Sequence, residues 1–284
     1  MVSPLLHSRH APWLTHGGLL LLVGAYGWLL VAVPFWVAFV PAVIVAHRIG
    51  TLLHEYIHGI PFRRYRDNHA IVTAVDGLLL TFGAMEMFRV DHLQHHKWLN
   101  TDHDHASATV SKTGQSKLRN ILAGVSFLQY LLGLWDTVLG RRPQVSRPRM
   151  LLSALLSAAM IVAWNVGGHG DVVGKIFLVT VVTMFGPVSL RAAIEHHNAP
   201  AAEGFANEYR VVVPLFNLNR HIHHHEDPTL PWYLLEWRTP RPLPRLHYLT
   251  TWFRVYVTRE YRLMRPMRAS DVRRGERLAL RGKR

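Results

Sequence analysis

Four short clusters gather most of the chain's chemically capable side chains, drawn from its 20 histidines. HEYIH supplies His54 and His58, and HLQHH supplies His92, His95 and His96. EHH supplies His196 and His197, and HIHHH supplies His221, His223, His224 and His225. Imidazole is the commonest side-chain metal ligand. A single zinc usually takes three or four protein ligands, so this many nitrogens point to more than one transition metal. The spacing supports ligation. In HxxxH two rings share one face of a helix, and in HxxHH an i+3 ring is added, so three fan out from one turn. His92, His95 and His96 have that spacing, and His221, His224 and His225 repeat it. Sites rich in histidine and poor in oxygen ligands suit iron, copper or zinc over calcium or magnesium.

The elements that position these clusters are apolar. Of 284 residues, 49% are hydrophobic and only 18% charged, although the net charge is +14. A membrane-spanning helix needs roughly 20 mostly apolar residues. Residues 17–49 contain no Lys or Arg before Arg48. That run suits two joined helices with a break near Val33-Pro34, where proline opposes helix continuation. A second apolar pair covers residues 150–167 and 174–190, turning at Gly167-Gly168-His169-Gly170. Four spans in two hairpins put both termini on one side. The segment between the hairpins carries Arg63, Arg64, Arg66, Arg89, Lys97, Lys112, Lys117, Arg119, Arg141, Arg142, Arg147 and Arg149, and the residues after Trp237 are also basic. The positive-inside rule puts these regions, the termini and all four clusters in the cytoplasm. A bacterial inner membrane is the expected location. Residues 71–88 and 118–139 are apolar but carry Asp76, Glu86, Gln129 and Asp136, and are read as interfacial helices.

Composition also excludes. With no cysteine, the chain has no disulfides, no thiolate-ligated haem and no cysteine-ligated cluster or zinc site. It shows neither a GxGxxG after a strand nor GxxxxGK[ST], so electrons for redox work must come from another protein. The first residues lack a basic region, apolar run and small-residue cleavage site, and are expected to be retained rather than removed as a signal peptide. The basic charge is assigned to a membrane surface, not to nucleic acid. The expected organisation is a membrane domain over residues 1–237, with residues 238–284 as a basic cytoplasmic tail that is not an independent domain. The tail's Arg238, Arg241, Arg245, Arg254, Arg259, Arg262, Arg265 and Arg268 suit anionic headgroups or an acidic electron donor.

HxxxH, HxxHH and HxxHH, in that order around two apolar hairpins, resemble the membrane-bound fatty-acid desaturase and hydroxylase superfamily. The similarity runs from about Arg48 to Trp237. HEYIHGIPF resembles the HExxHG form of the first box, HHKWLNTDHD the HHxxxNxxxD pattern, and FNLNRHIHHHEDPTLPWY the NxxxHxxHHxxPxxPW run. The resemblance implies an all-α integral membrane protein: four transmembrane helices in two hairpins, with interfacial helices and a cytoplasmic histidine-rich cap. It implies a non-haem di-iron oxidoreductase holding two iron ions (Fe2+), with dioxygen as co-substrate. The implied ligands are His54, His58, His92, His95, His96, His196, His221, His224 and His225. His196 is preferred to His197 because it directly follows Glu195, as in the family's EH pair. The implied partners are the membrane, a lipid or other apolar-chain substrate, and an external donor such as ferredoxin or rubredoxin with its reductase.

The outcome implied is desaturation of a fatty-acyl or related lipid chain. Hydroxylation or ketolation of an alkane, lipid or carotenoid begins with the same hydrogen removal and is the alternative. HEYIH also satisfies the zinc-protease motif HExxH with Glu55 as general base, but that reading leaves three clusters unexplained. A metal-binding or transport protein is a third class, against which the recurring spacing argues. Glu55, Asp91, Glu195 and Glu226, and His103 and His105 beside Asp102 and Asp104, are placed to support metal-bound rings. His223 falls between matched positions and is expected to support the ligand rings from behind or to face solvent. His7, His10, His16, His47, His69, His169 and His247 are read as ordinary residues.

Overall fold

A computed structural model describes residues 11–62, 64–98, 126–196, 209, 216, 218–235 and 248–258. The regular elements among them are helices: α1 (Ala11–Ala32), α2 (Phe35–Ile57), α3 (Tyr65–Leu78), α4 (Ala84–Trp98), α5 (Ser126–Val138), α6 (Arg147–Val166), α7 (Gly170–Thr183), α8 (Ser189–His196), α9 (His221–Glu226), α10 (Trp232–Leu235) and α11 (Tyr248–Phe253). A π-helical turn, Met184–Val188, joins α7 to α8 around Pro187. Four stretches are long and apolar enough to cross a membrane: Pro12–Ala32, Phe35–Ile57, Arg147–Val166 and Gly170–Arg191. Among the described residues the regular structure is thus all-helical with four candidate spans, as the hydropathy indicates. The chain divides into two compact units.

The first unit contains Ser3–Val90 and Tyr130–Pro187. Here α1 packs on α2, α2 on α7, and α6 on both α3 and α7. Leu30, Ala38, Ala42, Ile49, Leu52, Leu53 and Val179 are buried between them. Their outer faces stay apolar: Trp13, Leu20, Leu21, Trp28, Trp36, Leu151, Val162 and Phe177 are all exposed. So large an uncovered apolar surface suits lipid, and the helices satisfy their own backbone groups, as hydrocarbon requires.

The breaks follow from local chemistry. Between α1 and α2, Pro34 takes φ −51° and ψ 127° and opens α2. Pro41 lies inside α2, where it gives up one helix hydrogen bond. The end of α2 is a Schellman motif. Gly59, at φ 73°, donates its N–H to the Tyr56 carbonyl at 3.0 Å, and Ile60 donates to the Glu55 carbonyl at 3.1 Å. The glycine that follows His58 is therefore the residue that stops the helix.

The 71–88 segment is not one helix. It turns at residues 79–83 between α3 and α4, where Leu80 (φ 53°), Phe82 (φ 49°) and Gly83 (φ 94°) are left-handed. The buried Asp76 carboxylate fixes this turn. It accepts N–H bonds from Gly83 at 2.7 Å and Met85 at 3.2 Å, and hydroxyl bonds from Thr81 and from Ser153 on α6. Asp76, an interruption in the apolar pattern, thus ends α3 and ties it to α6. Close approach of the two helices is set by Gly77, where a Cβ would lie 2.6 Å from the Leu156 Cβ.

Beyond that turn, Glu86 on α4 holds Arg89 by two bonds of 2.7 Å and accepts the Ser146 N–H at 3.2 Å. His69 is buried in this unit, with the charges of Arg149, Arg89 and Glu86 acting on it. Met87, Val90, Val145 and Met150 form the small core alongside, flanked by Tyr130 and Leu134.

The second unit contains Asp91–Gln129 and Val188–Arg284, with Met1–Val2. In it α11 packs on α8. Leu218, Leu230, Leu234 and Leu235 form its apolar core with Tyr233 beside them, and Phe216 meets Trp232 edge-on at 5.0 Å.

Candidate metal centre

His54 and His58 sit at the end of α2, four residues apart, with ring centroids 4.7 Å apart. Both belong to the first unit. Desolvation pushes the His58 imidazole down to about 3, so the ring is neutral, the state in which a histidine binds metal.

The second unit gathers two further boxes. His92, His95 and His96 lie on the last turns of α4. His221, His224 and His225 lie on α9, whose first turn is closed by N–H bonds from His223 and His224 to the Arg220 carbonyl. The segment leading into α9 is fixed by a short backbone bridge. Tyr209 donates its N–H to the Asn219 carbonyl at 3.1 Å, and the Asn219 side chain donates back to the Tyr209 carbonyl at 2.9 Å. Box three is thereby tied to a residue ten positions upstream.

These six histidines form two groups. In the first, His96 Nε2 lies 3.0 Å from His92 Nε2 and 2.9 Å from His224 Nε2. In the second, His225 Nε2 lies 3.1 Å from His221 Nε2, and the ligand nitrogens of His95, His221 and His225 are all within 4.8 Å of one another. All six rings are buried. Rings from the two groups also touch: His96 stacks on His225 at 4.3 Å, and His95 meets His225 edge-on at 5.0 Å.

Convergence of Nε2 atoms fits a metal better than mutual hydrogen bonding. A neutral imidazole nitrogen carries either one proton or one lone pair, so His96 Nε2 cannot satisfy both His92 Nε2 and His224 Nε2 by hydrogen bonding. A shared cation removes that conflict. The donors are all imidazole nitrogen, which suits iron, copper or zinc. Two adjacent groups account for two ions, and a single zinc at HEYIH would leave both without a role.

Other candidates take lesser places. His223 is buried, with Nδ1 3.0 Å from the Glu226 carboxylate. His16 bonds the Tyr56 hydroxyl at 2.7 Å, and His47 lies 2.7 Å from the Arg48 guanidinium. His196 is the last residue of α8. His7, His10, His103, His105, His197 and His247, together with Asp102, Asp104 and the tail beyond Thr258, lie outside the described residues.

Glu195 is the charged neighbour of the second group. Its Oε1 accepts from Arg191 Nε and from the Tyr209 hydroxyl, the latter at 3.2 Å. Its Oε2 lies 3.7 Å from His221 Nε2. Burial pushes the Glu195 carboxyl up, and the Arg191 guanidinium opposes this. Nothing in the sequence marks Tyr209 as its partner, because the two share no motif.

Four apolar spans and two buried imidazole groups define an integral membrane metalloprotein. The chain belongs to the fatty acid desaturase family, which matches residues 26–255. It is accordingly an enzyme of the desaturase class of di-iron oxidoreductases. No curated protein and no solved structure matches it.

Proposed function

We propose that this enzyme introduces a double bond into a fatty-acyl or related lipid chain, using dioxygen and electrons from an external donor. The observation that carries this reading is the convergence of two sequence boxes, on α4 and α9, as two imidazole groups within one unit. In the proposed site two iron ions would be held by His54, His58, His92, His95, His96, His196, His221, His224 and His225. The six clustered rings are supported by geometry. His54 and His58 are added from the order of the boxes, and His196 from the EH pair.

When bound, the irons would supply the chemistry that activates dioxygen and removes hydrogen from an unactivated carbon. The protein's part is to hold the rings in fixed directions and to exclude water from them, and burial of all six serves both. The apolar outer faces of the spans suit a substrate that arrives from the bilayer. The basic segments between and after the hairpins support a cytoplasmic active site and termini. An acidic ferredoxin or rubredoxin with its reductase suits that basic surface and the lack of a nucleotide motif.

Mass spectrometry of lipids from cells with and without the protein, grown with oxygen, tests the reaction. Loss of two hydrogens from one acyl class is expected. Gain of one oxygen instead would establish hydroxylation, and an unchanged lipid profile would overturn the reading.

A further inference from the structure

We propose that α5 docks on the bilayer surface: its apolar stripe enters the lipid, and Arg141 and Arg147 beside its end take the phosphate of an anionic phospholipid. This concerns neither the metal centre nor the reaction, and it stands or falls apart from them.

The helix is apolar on the wrong side for water. Leu131, Leu132, Trp135, Val138 and the following Leu139 are all exposed. At 3.6 residues per turn they share one arc of about 120°. The opposite face holds Gly133 and Thr137, and that face is the buried one. Thr137 donates its hydroxyl back to the Gly133 carbonyl at 2.7 Å. The lack of a side chain at Gly133 lets the helix close on its neighbours. A Cβ there would lie 2.7 Å from Arg142 Nη1 and 3.4 Å from Met87 Sδ. A helix at a water-facing surface turns its apolar stripe inward, and α5 does the reverse. Its 13 residues are too few to cross a bilayer, so it meets lipid by lying along the surface.

The depth is set by α6. Arg147 is the first residue of that candidate span, and its Nη2 donates to the Thr137 carbonyl at 3.3 Å. The end of α5 is thereby held at the level where a span begins, which is where headgroups lie. Arg141 is fixed at the same place by a Schellman motif. Gly140, at φ 74°, donates its N–H to the Thr137 carbonyl at 3.1 Å, and Arg141 donates to the Asp136 carbonyl at 2.8 Å. Arg141 and Arg147 are both exposed. Asp136 pairs with the Arg141 side chain at 3.2 Å, but the two are 43% and 66% exposed, where such a pair is weak. Guanidinium groups match phosphate by forked hydrogen bonds, and a tryptophan such as Trp135 suits the headgroup level. A phospholipid meets both features at once, acyl chains on the stripe and phosphate on the arginines. An acidic protein surface would match the arginines and leave five large apolar side chains without a partner.

The chain has no cysteine, so an introduced one can carry a single fluorescent label. Leu132→Cys, Val138→Cys and Gln144→Cys are each labelled in the full-length protein and reconstituted in phosphatidylcholine vesicles containing phosphatidylglycerol. Lipids with nitroxide-bearing acyl chains should quench the labels at 132 and 138, and aqueous iodide should leave them bright. The label at 144, on the exposed loop after α5, should show the reverse. If iodide quenches 132 and 138 as strongly as 144, the stripe faces water and the proposal is overturned. Energy transfer between labels at 132 on two chains would put a second copy on the stripe and overturn it equally. Two positions on the stripe keep the test decisive if one variant fails to fold. Headgroup choice is read by native mass spectrometry of protein released from the vesicles. Arg141→Gln and Arg147→Gln should each lower retained phosphatidylglycerol relative to phosphatidylcholine by about fivefold, the weight of one basic residue at a membrane surface. An unchanged ratio in both variants would overturn the assignment of the arginines to the phosphate.

Discussion

His224 Nε2 lies 2.9 Å from His96 Nε2, although 128 positions separate the two residues in the chain. This pair joins the second and third histidine boxes. His92 extends it from the α4 side, with Nε2 3.0 Å from that of His96. Removing either partner should therefore affect one ion more than the other. We expect His96→Ala and His224→Ala each to abolish desaturation and to lower bound iron from about two per chain toward one. Iron analysis by plasma mass spectrometry checks this. A variant that kept full iron and turnover would remove that residue from the ligand set. His223→Ala, at a ring that faces Glu226 and belongs to neither group, should retain its iron.

Gly59 stops α2 directly after the second histidine of HEYIH. At φ 73° it occupies a conformation that costs an L-residue about 1–2 kcal/mol. The nearest atom to an added Cβ, Asn68 Nδ2, is 4.0 Å away, so the penalty comes from the backbone and not from crowding. Gly59→Ala should lower Tm by roughly 2–8 °C, on the scaling for domains of ~150–250 residues. Thermal unfolding in detergent measures it. Gly24→Ala makes the contrast, since that site is open, and it should leave Tm nearly unchanged or slightly raised.

His69 gives a pH dependence whose sign is fixed. Burial, and after it the charges of Arg149 and Arg89, lower its imidazole to about 4, while Glu86 opposes them. The unfolded chain, with an ordinary value near 6.5, binds the proton more readily than the folded one. The ring's contribution to stability is therefore complete above about 6.5 and is lost as pH falls toward about 4. Tm should drop across that window, and His69→Gln should drop less over the same range. Equal slopes for the two proteins would show that His69 does not titrate as its surroundings require.

The sequence by itself determined the class of this protein. Period, length and punctuation carry that information locally. Two long apolar runs broken at Val33-Pro34 and at residues 167–170 give four spans whatever they pack against, since each span needs only its own backbone bonds and apolar side chains. Likewise the spacings HxxxH and HxxHH place rings on one helix face without any knowledge of the fold. Other features were decided by tertiary structure, because they depend on atoms far apart in the chain. Composition marked residues 71–88 as one interfacial helix. The turn at 79–83 exists because Asp76 gathers donors from Thr81, Gly83 and Met85, and reaches Ser153 across 77 positions. Pairing of His92 and His96 with His224, and of His221 with His225 beside His95, is a matter of how α4 and α9 pack, which no local spacing encodes. Glu195 shows the difference most directly. Its sequence neighbours mark it only as a carboxylate beside a histidine. Which way it points is set by Arg191 one helical turn away and by Tyr209 beyond the helix, and no local spacing encodes that pairing.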